Sequence, residues 1–299
     1  MQDNPLIPTI CQSAIEEIVA ALGFARQGPA RRLLSPLFWL PAHLLARLLA
    51  EVDEPARQSG LPGVARRLLP RFVSGVQTAG AADIPEAGPL IIATNHPGAY
   101  DALAILSNVP RQDIKFIVSD VPILRSVPSV AQSLIYTPPQ TELRARAVRE
   151  IMRTLRQGGA ILIFPSGVVD PDPAFMPGAE QALHLWSASL GLILSKVPGA
   201  LLQTAIVSGV LAPACLRSPL TRLPKERWRQ QKLAEFLQVI QQLVFKRNFH
   251  LTPRVYFGKP RPLEGLLSDF KADSLHQSIL AAARETLRLN LGMAGAEIR

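Results

Sequence analysis

The sequence predicts an α/β domain preceded by amphipathic helices. Short apolar runs alternate with helix-periodic stretches from residue 88 onward, and apolar positions recur at helical spacing before residue 76. The 299 residues are 48% hydrophobic and 18% charged, enough to bury one substantial core with a smaller appendage.

Residues 10 to 76 read as helices. Ile15, Ile18, Val19 and Leu22 recur at helical spacing, and a denser set follows: Leu33, Leu34, Leu37, Phe38, Trp39, Leu40, Leu44, Leu45, Leu48 and Leu49. Together with Arg31, Arg32 and Arg47, this is the composition of a helix lying in a lipid interface. It equally fits a pair of core-packing helices broken at Pro36 and Pro41. No ordinary transmembrane helix is expected. Pro41, His43 and Arg47 interrupt one greasy stretch, and Lys196 and Pro198 the other, short of about 20 clean apolar residues.

Strands are predicted from Pro89 to Thr94, Ile114 to Val118, Leu134 to Thr137, Ala160 to Phe164, Leu201 to Val207 and Arg254 to Phe257. Helical periodicity occupies residues 141 to 157 and 222 to 248 between them. In the second of these, Leu233, Phe236, Leu237, Ile240, Leu243 and Val244 form an apolar stripe that leaves the charged residues to solvent or a partner. A last amphipathic helix carries Leu275, Ile279, Leu280 and Leu287, with Asp273 as its expected cap. The division is 1–80 helical, membrane-associating on the interfacial reading, 81–265 the α/β domain, and 266–299 the C-terminal helix.

Asp3, Glu16 and Glu17 stand where a signal peptide would be apolar or basic, so secretion is not expected. Cys11 and Cys215 lie far apart with no metal-ligand or redox spacing, which suits a reducing compartment and indicates neither disulfide nor zinc. The net charge of +9 is concentrated in residues 222 to 261, where ten Lys or Arg face only Glu226 and Glu235. An anionic partner is implied: phosphate groups, an acidic carrier protein, an anionic membrane face or nucleic acid.

The chemistry sits just after the first strand, in Asn95-His96-Pro97-Gly98-Ala99-Tyr100-Asp101. Open α/β sheets place their ligand crevices at strand carboxyl ends, where His96 should emerge. An imidazole can take a proton from a hydroxyl near neutral pH when a second group fixes its tautomer. Asp101 is the nearest such group, and Pro97 and Gly98 allow the turn that folds it back onto the ring.

These residues resemble the first motif of the glycerolipid acyltransferase superfamily, Asn-His-x4-Asp, matched by Asn95, His96 and Asp101. Phe164-Pro165-Ser166-Gly167 resembles its third motif, Phe-Pro-Glu-Gly, in the right order and at about the right separation. The resemblance covers roughly residues 80 to 262 and implies a glycerol-3-phosphate acyltransferase-like fold with a central, mostly parallel sheet. It further implies that His96 deprotonates the acceptor hydroxyl while Asp101 holds the imidazole. Asn95, Pro97, Gly98, Phe164, Pro165, Ser166 and Gly167 then belong to the substrate site. The donor would be acyl-CoA or acyl carrier protein and the acceptor a lyso-lipid. No metal or cofactor is expected, and the place of action would be the cytoplasmic, inner face of a membrane, held peripherally.

The acceptor half departs from the family. Ser166 replaces the motif's Glu, and Val168 and Val169 replace the following Thr-Arg pair. Pro138, Pro139 and Gln140 stand where the second motif has its Arg, with Arg144 or Arg146 the nearest substitutes, and Gln203 replaces the fourth motif's proline. Loss of the phosphate-binding arginine favours a lyso-lipid or alcohol with another head group, because a buried phosphate needs charged donors.

Ser166 lacks the Gly-x-Ser-x-Gly elbow of a Ser-His-Asp hydrolase. His43, His184, His250 and His276 have no distinguishing carboxylate partner. A non-catalytic lipid- or acyl-binding protein on the same fold is the main alternative. Nucleic-acid binding is not expected, since only three Tyr and three Trp occur and no recognised motif is present.

Overall fold

The computed structural model describes residues 4–21, 28–119, 122–137, 141–222 and 226–294. Seven strands form one sheet in the order β1-β7-β6-β2-β5-β3-β4. They are β1 (Gln77–Ala79), β2 (Leu90–Thr94), β3 (Ile114–Val118), β4 (Leu134–Tyr136), β5 (Ala160–Ile163), β6 (Leu201–Ser208) and β7 (Arg254–Phe257). Neighbours are parallel throughout except β6 and β7, so β1 and β7 run against the other five. The six apolar runs read from sequence are all strands. β1, three half-buried residues without an apolar pattern, escaped that reading.

β2 sits in the middle, and side-chain alternation divides it between two cores. Leu90 and Ile92 face one hydrophobic cluster, Ile91 and Ala93 the other, all fully buried. Burial of each Leu or Ile contributes about 1.5–3 kcal/mol, so this short strand is anchored from both faces. Arg111 fixes its entry: the buried guanidinium pairs with Asp113 at 2.6 Å and donates to Gly88 O and Gly158 O, at the starts of β2 and β5.

On the first face lie α1 (Leu6–Ala21), α2 (Pro29–Ala50), α3 (Asp53–Leu68) and α4 (Asp101–Leu106). α2 is one continuous helix through Pro36 and Pro41, which corrects the reading of a broken pair. Each proline removes one backbone bond. Ala42, Ala46 and Ala50 are small enough for Ile10, Ala14 and Val19 of α1 to share one core with them, and that packing carries the helix across. Arg32–Ala50 is long and apolar enough to cross a membrane by length and composition, contrary to the expectation that its interruptions exclude this, and only 22% of the stretch is buried. α3 kinks at Gly60, whose φ of +61° suits glycine and whose Cβ would lie 2.6 Å from Gln112 O.

α5 (Thr141–Arg156), α6 (Ser189–Lys196), α8 (Leu263–Phe270) and α9 (Leu275–Gly292) cover the second face, while α7 (Arg227–Phe245) returns to the first. The cap of α9 is Ser274, whose hydroxyl accepts from Gln277 N at 3.2 Å, rather than the expected Asp273. The fully buried edge of α7 is also not the predicted leucine stripe: it is Gln231, Ala234 and Gln238, with Leu233, Phe236, Leu237, Ile240, Leu243 and Val244 half-buried.

Candidate functional site

β2 and β5 are adjacent and parallel, with Ala93 opposite Ile163, so the segments following them emerge side by side at the same edge. This brings the two sequence motifs together. The His96 ring stacks on Phe164 with centroids 4.3 Å apart and planes at 14°, and Phe116 meets Phe164 edge-on. Asn95 clamps the other neighbour: its amide donates to Val207 O and its Oδ1 accepts from Val207 N, both at 2.9 Å, carrying the ladder one residue past β2.

The loop then turns as Pro97 and Gly98 permit. A Cβ on Gly98 would meet Leu211 at 3.3 Å, which leaves little room for a larger residue. Asp101 opens α4 and is buried, and its Oδ2 lies 2.7 Å from His96 Nδ1. The same carboxyl accepts from the backbone N–H of Gly98 and of Ala102, and the helix start adds a favourable dipole for a negative charge. With Nδ1 so engaged, His96 Nε2 has no partner among the described residues.

Two groups that the sequence reading did not single out complete this corner. Asp170 Oδ2 accepts from His96 N at 2.8 Å and from Ser166 Oγ at 3.1 Å, while Asp170 N donates to His96 O. Gln231 of α7 donates from one nitrogen to Pro97 O and Asp170 O, at 2.8 and 2.7 Å. The Asp170-Pro171-Asp172 triplet directly after the strand-end loop was the available signal. Asp172, also buried, accepts four backbone N–H groups, from Ala174, Gly209, Val210 and Leu211.

Of the other expected site residues, Pro165 O accepts from Ser187 N at 3.0 Å, and Gly167 takes the left-handed turn at φ +66°. Ser166 Oγ bonds Val168 O and Asp170, so it serves the loop. Arg146 is exposed on α5 and does not line the cavity at His96, and the side chain of Arg144 and residues 138–140 lie outside the described residues. Gln203 is buried in β6 and donates to Gly258 O, also away from that cavity.

The cavity holds about 480 Å³, within the range of about 300–1,000 Å³ usual for small-ligand pockets. Its walls are mostly apolar, with Leu45, Leu49, Leu68, Leu106, Phe116 and Val130 among them. His96, Tyr100, Asp101, Glu17 and Glu235 are its polar lining, and no Lys or Arg borders it among the described residues. No group of three or more His, Cys, Asp and Glu among the described residues is placed to hold a metal.

Residues 75–199 match the acyltransferase family model. Both motifs, at 95–101 and 164–167, lie inside the matched stretch. Among solved structures, the chain is similar to the 1-acyl-sn-glycerophosphate (LPA) acyltransferase PlsC from Thermotoga maritima, at 17% identity and a TM-score of 0.45, with 96% of this chain and 97% of that chain covered. No curated protein matches.

Electrostatically, the corner around His96 is rich in acid. Burial lowers the basicity of His96, but Asp101 in contact, with Glu235 and Asp170 beyond, outweighs burial and raises the pKa to about 9. Burial pushes Glu235 up to about 7, with His96 opposing and Asp101 reinforcing the shift. Asp170 is raised too, because burial exceeds the help of its bonds from His96 N and Ser166.

A second, wider depression of about 800 Å³ lies between the end of α2 and the end of α7. Arg47, Arg71, Lys246 and Arg247 border it, with Glu51 as the acid. Phe72 borders both depressions and stacks on Tyr100 at 4.8 Å.

Proposed function

We propose that the chain transfers a fatty acyl group from a thioester, acyl-CoA or acyl carrier protein, to a hydroxyl of a lyso-glycerolipid or related lipid acceptor. The observation that carries this reading is the 2.7 Å His96–Asp101 contact at the head of a largely apolar cavity. Neutral His96 accepts the acceptor's hydroxyl proton at Nε2, and the oxygen attacks the thioester carbonyl carbon. The C–S bond then breaks as the tetrahedral adduct collapses, and the imidazolium returns its proton to the departing thiolate. Asp101 supports the imidazolium throughout and fixes the tautomer that leaves Nε2 available. The apolar walls suit the acyl chain.

Because the base must be unprotonated to act, and His96 holds its proton up to about pH 9, kcat/KM should rise with pH and level off near that value. The check is a pH–rate profile from pH 6 to 10. Asp101→Asn should move the rise toward lower pH while lowering the plateau; a flat profile in the unmodified protein would contradict the base assignment.

The reading also places the chain peripherally on the inner, cytoplasmic face of a membrane. Leu33, Leu37, Leu40, Leu44 and Arg47 follow one side of α2 at steps of four, three, four and three. Leu33 and Leu37 are 80% and 69% exposed, and the row ends in the cationic depression. An apolar stripe beside cationic groups binds anionic interfaces. Introducing Leu33→Glu with Leu37→Glu should cut co-sedimentation with anionic vesicles at low salt at least tenfold, without altering transfer to a short-chain, water-soluble acceptor. Undiminished sedimentation would overturn the placement.

A further inference from the structure

Gln231, Glu235, Gln238 and Gln242 fall on one side of α7, at steps of four, three and four. The three glutamines are all committed. Gln231 holds Pro97 O and Asp170 O. Gln238 holds Ala212 N and Val210 O. Gln242 holds Phe72 O and accepts from the Tyr100 hydroxyl. Together they tie α7 to the loops around His96. Glu235 stands between Gln231 and Gln238, lines the same cavity as His96, and makes no hydrogen bond or ion pair with any described residue.

Glu235 is half-buried, and with no partner among the described residues its carboxyl is left to bond whatever enters the mostly apolar cavity. The rest of the row is fully bonded, so this is not a loosely packed face.

We propose that Glu235 selects the acceptor: its carboxyl accepts a hydrogen bond from a second, phosphate-free hydroxyl of the lipid whose first hydroxyl His96 deprotonates, and it repels acceptors with phosphate at that place. The proposal rests on the acyl-transfer reading above and names its acceptor class as a neutral, hydroxyl-bearing lipid. The absence of Lys and Arg among the described lining residues points the same way, because a phosphate brought beside Asp101 and Glu235 would meet two acids, with the His96 imidazolium, already paired with Asp101, as the cation at the cavity and Lys232 outside its lining. Val168 and Val169, where the related motif has Thr-Arg, add no charge.

The ionisable groups around Glu235 are His96, Tyr100 and Asp101 from the loop after β2, Asp170 beyond them, Glu17 of α1 and Lys232 on α7 itself. As Glu235 ionises through about pH 7, discrimination against phosphate should grow from pH 6 to 8. The ligand's own second phosphate ionisation, near a pKa of about 6, acts alike on every variant and drops out of the comparison.

The test is equilibrium binding of 1-octanoylglycerol and 1-octanoylglycerol 3-phosphate to the full chain, comparing the unmodified protein with Glu235→Gln and Glu235→Leu. The unmodified protein should prefer the neutral lipid at least tenfold, increasingly so toward pH 8. Glu235→Gln, which keeps an acceptor oxygen but no charge, should hold the neutral lipid within about threefold and lose the pH-dependent part of the discrimination. Glu235→Leu should weaken the neutral lipid about tenfold or more. If Glu235→Leu melts below the unmodified protein, Glu235→Gln alone decides through the pH dependence. The same pH-dependent preference in Glu235→Gln, or better binding of the phosphate lipid by the unmodified protein, overturns the proposal. Binding is read without turnover: selectivity that responds to Glu235 with no transfer sinks only the acyl-transfer reading, and transfer with selectivity indifferent to Glu235 sinks only this one.

Discussion

His96→Ala should lower kcat/KM for acyl transfer by about 10²–10⁴-fold, the usual contribution of a positioned general base. The fold should survive. The ring's partners are the Asp101 carboxyl and the face of Phe164, while the structural bonds of residue 96 to Asp170 run through its backbone N–H and C=O, which alanine keeps. Vesicle binding through α2 should be unchanged for the same reason, so loss of turnover with retained melting temperature and retained sedimentation is the expected pattern. Asp101→Ala should lose somewhat less activity but more stability, because the Gly98 and Ala102 N–H groups lose their acceptor along with the imidazole. A His96→Ala protein that turns over within about threefold of the unmodified chain would remove the base from the mechanism.

Asp172→Ala should be the most damaging change to stability, about 3–5 kcal/mol in urea unfolding. Its two oxygens accept from four backbone amides, two of them at Val210 and Leu211, in the segment that walls Gly98 from behind. Each buried donor left unpaired costs about 1–3 kcal/mol, reduced where water can enter, and the total is a large part of a domain's usual margin of about 5–15 kcal/mol. Asp172→Asn should cost less. Burial raises the Asp172 carboxyl despite its four N–H bonds, so the amide avoids the desolvation of a charge while keeping one acceptor oxygen. Equal losses in the two variants would mean that charge, not bond count, holds this loop.

The sheet was legible because its strands are buried on both faces and therefore appear as unbroken apolar runs, as Leu90 to Thr94 and Ala160 to Ile163 do. The encounter of His96 with Phe164 was implicit in two motifs at strand ends, and parallel pairing of β2 with β5 made it a contact. What stayed hidden depends on tertiary partners. Pro36 and Pro41 read as breaks because local rules weigh the lost backbone bonds and cannot see α1 packed along α2. The leucine stripe of α7 drew attention away from its glutamines, whose buried amides are intelligible only once Pro97, Val210 and Phe72 are seen to need partners. Glu235 was counted as one of two acids in a basic segment, though it turns inward to the cavity. Arg146 was nominated by proximity in sequence to a missing arginine, and helix α5 carries it into solvent instead.

The most direct test of acyl transfer is product analysis. The full chain is incubated with isotope-labelled acyl-CoA or acyl carrier protein and a panel of hydroxyl-bearing lipids with and without phosphate, and the lipids are then resolved by mass spectrometry. One labelled ester is expected for each thioester consumed, and its formation should be lost in His96→Ala. An intact thioester with every acceptor, from a chain that still binds the lipids, would contradict it and leave a non-catalytic lipid-binding protein on the acyltransferase fold.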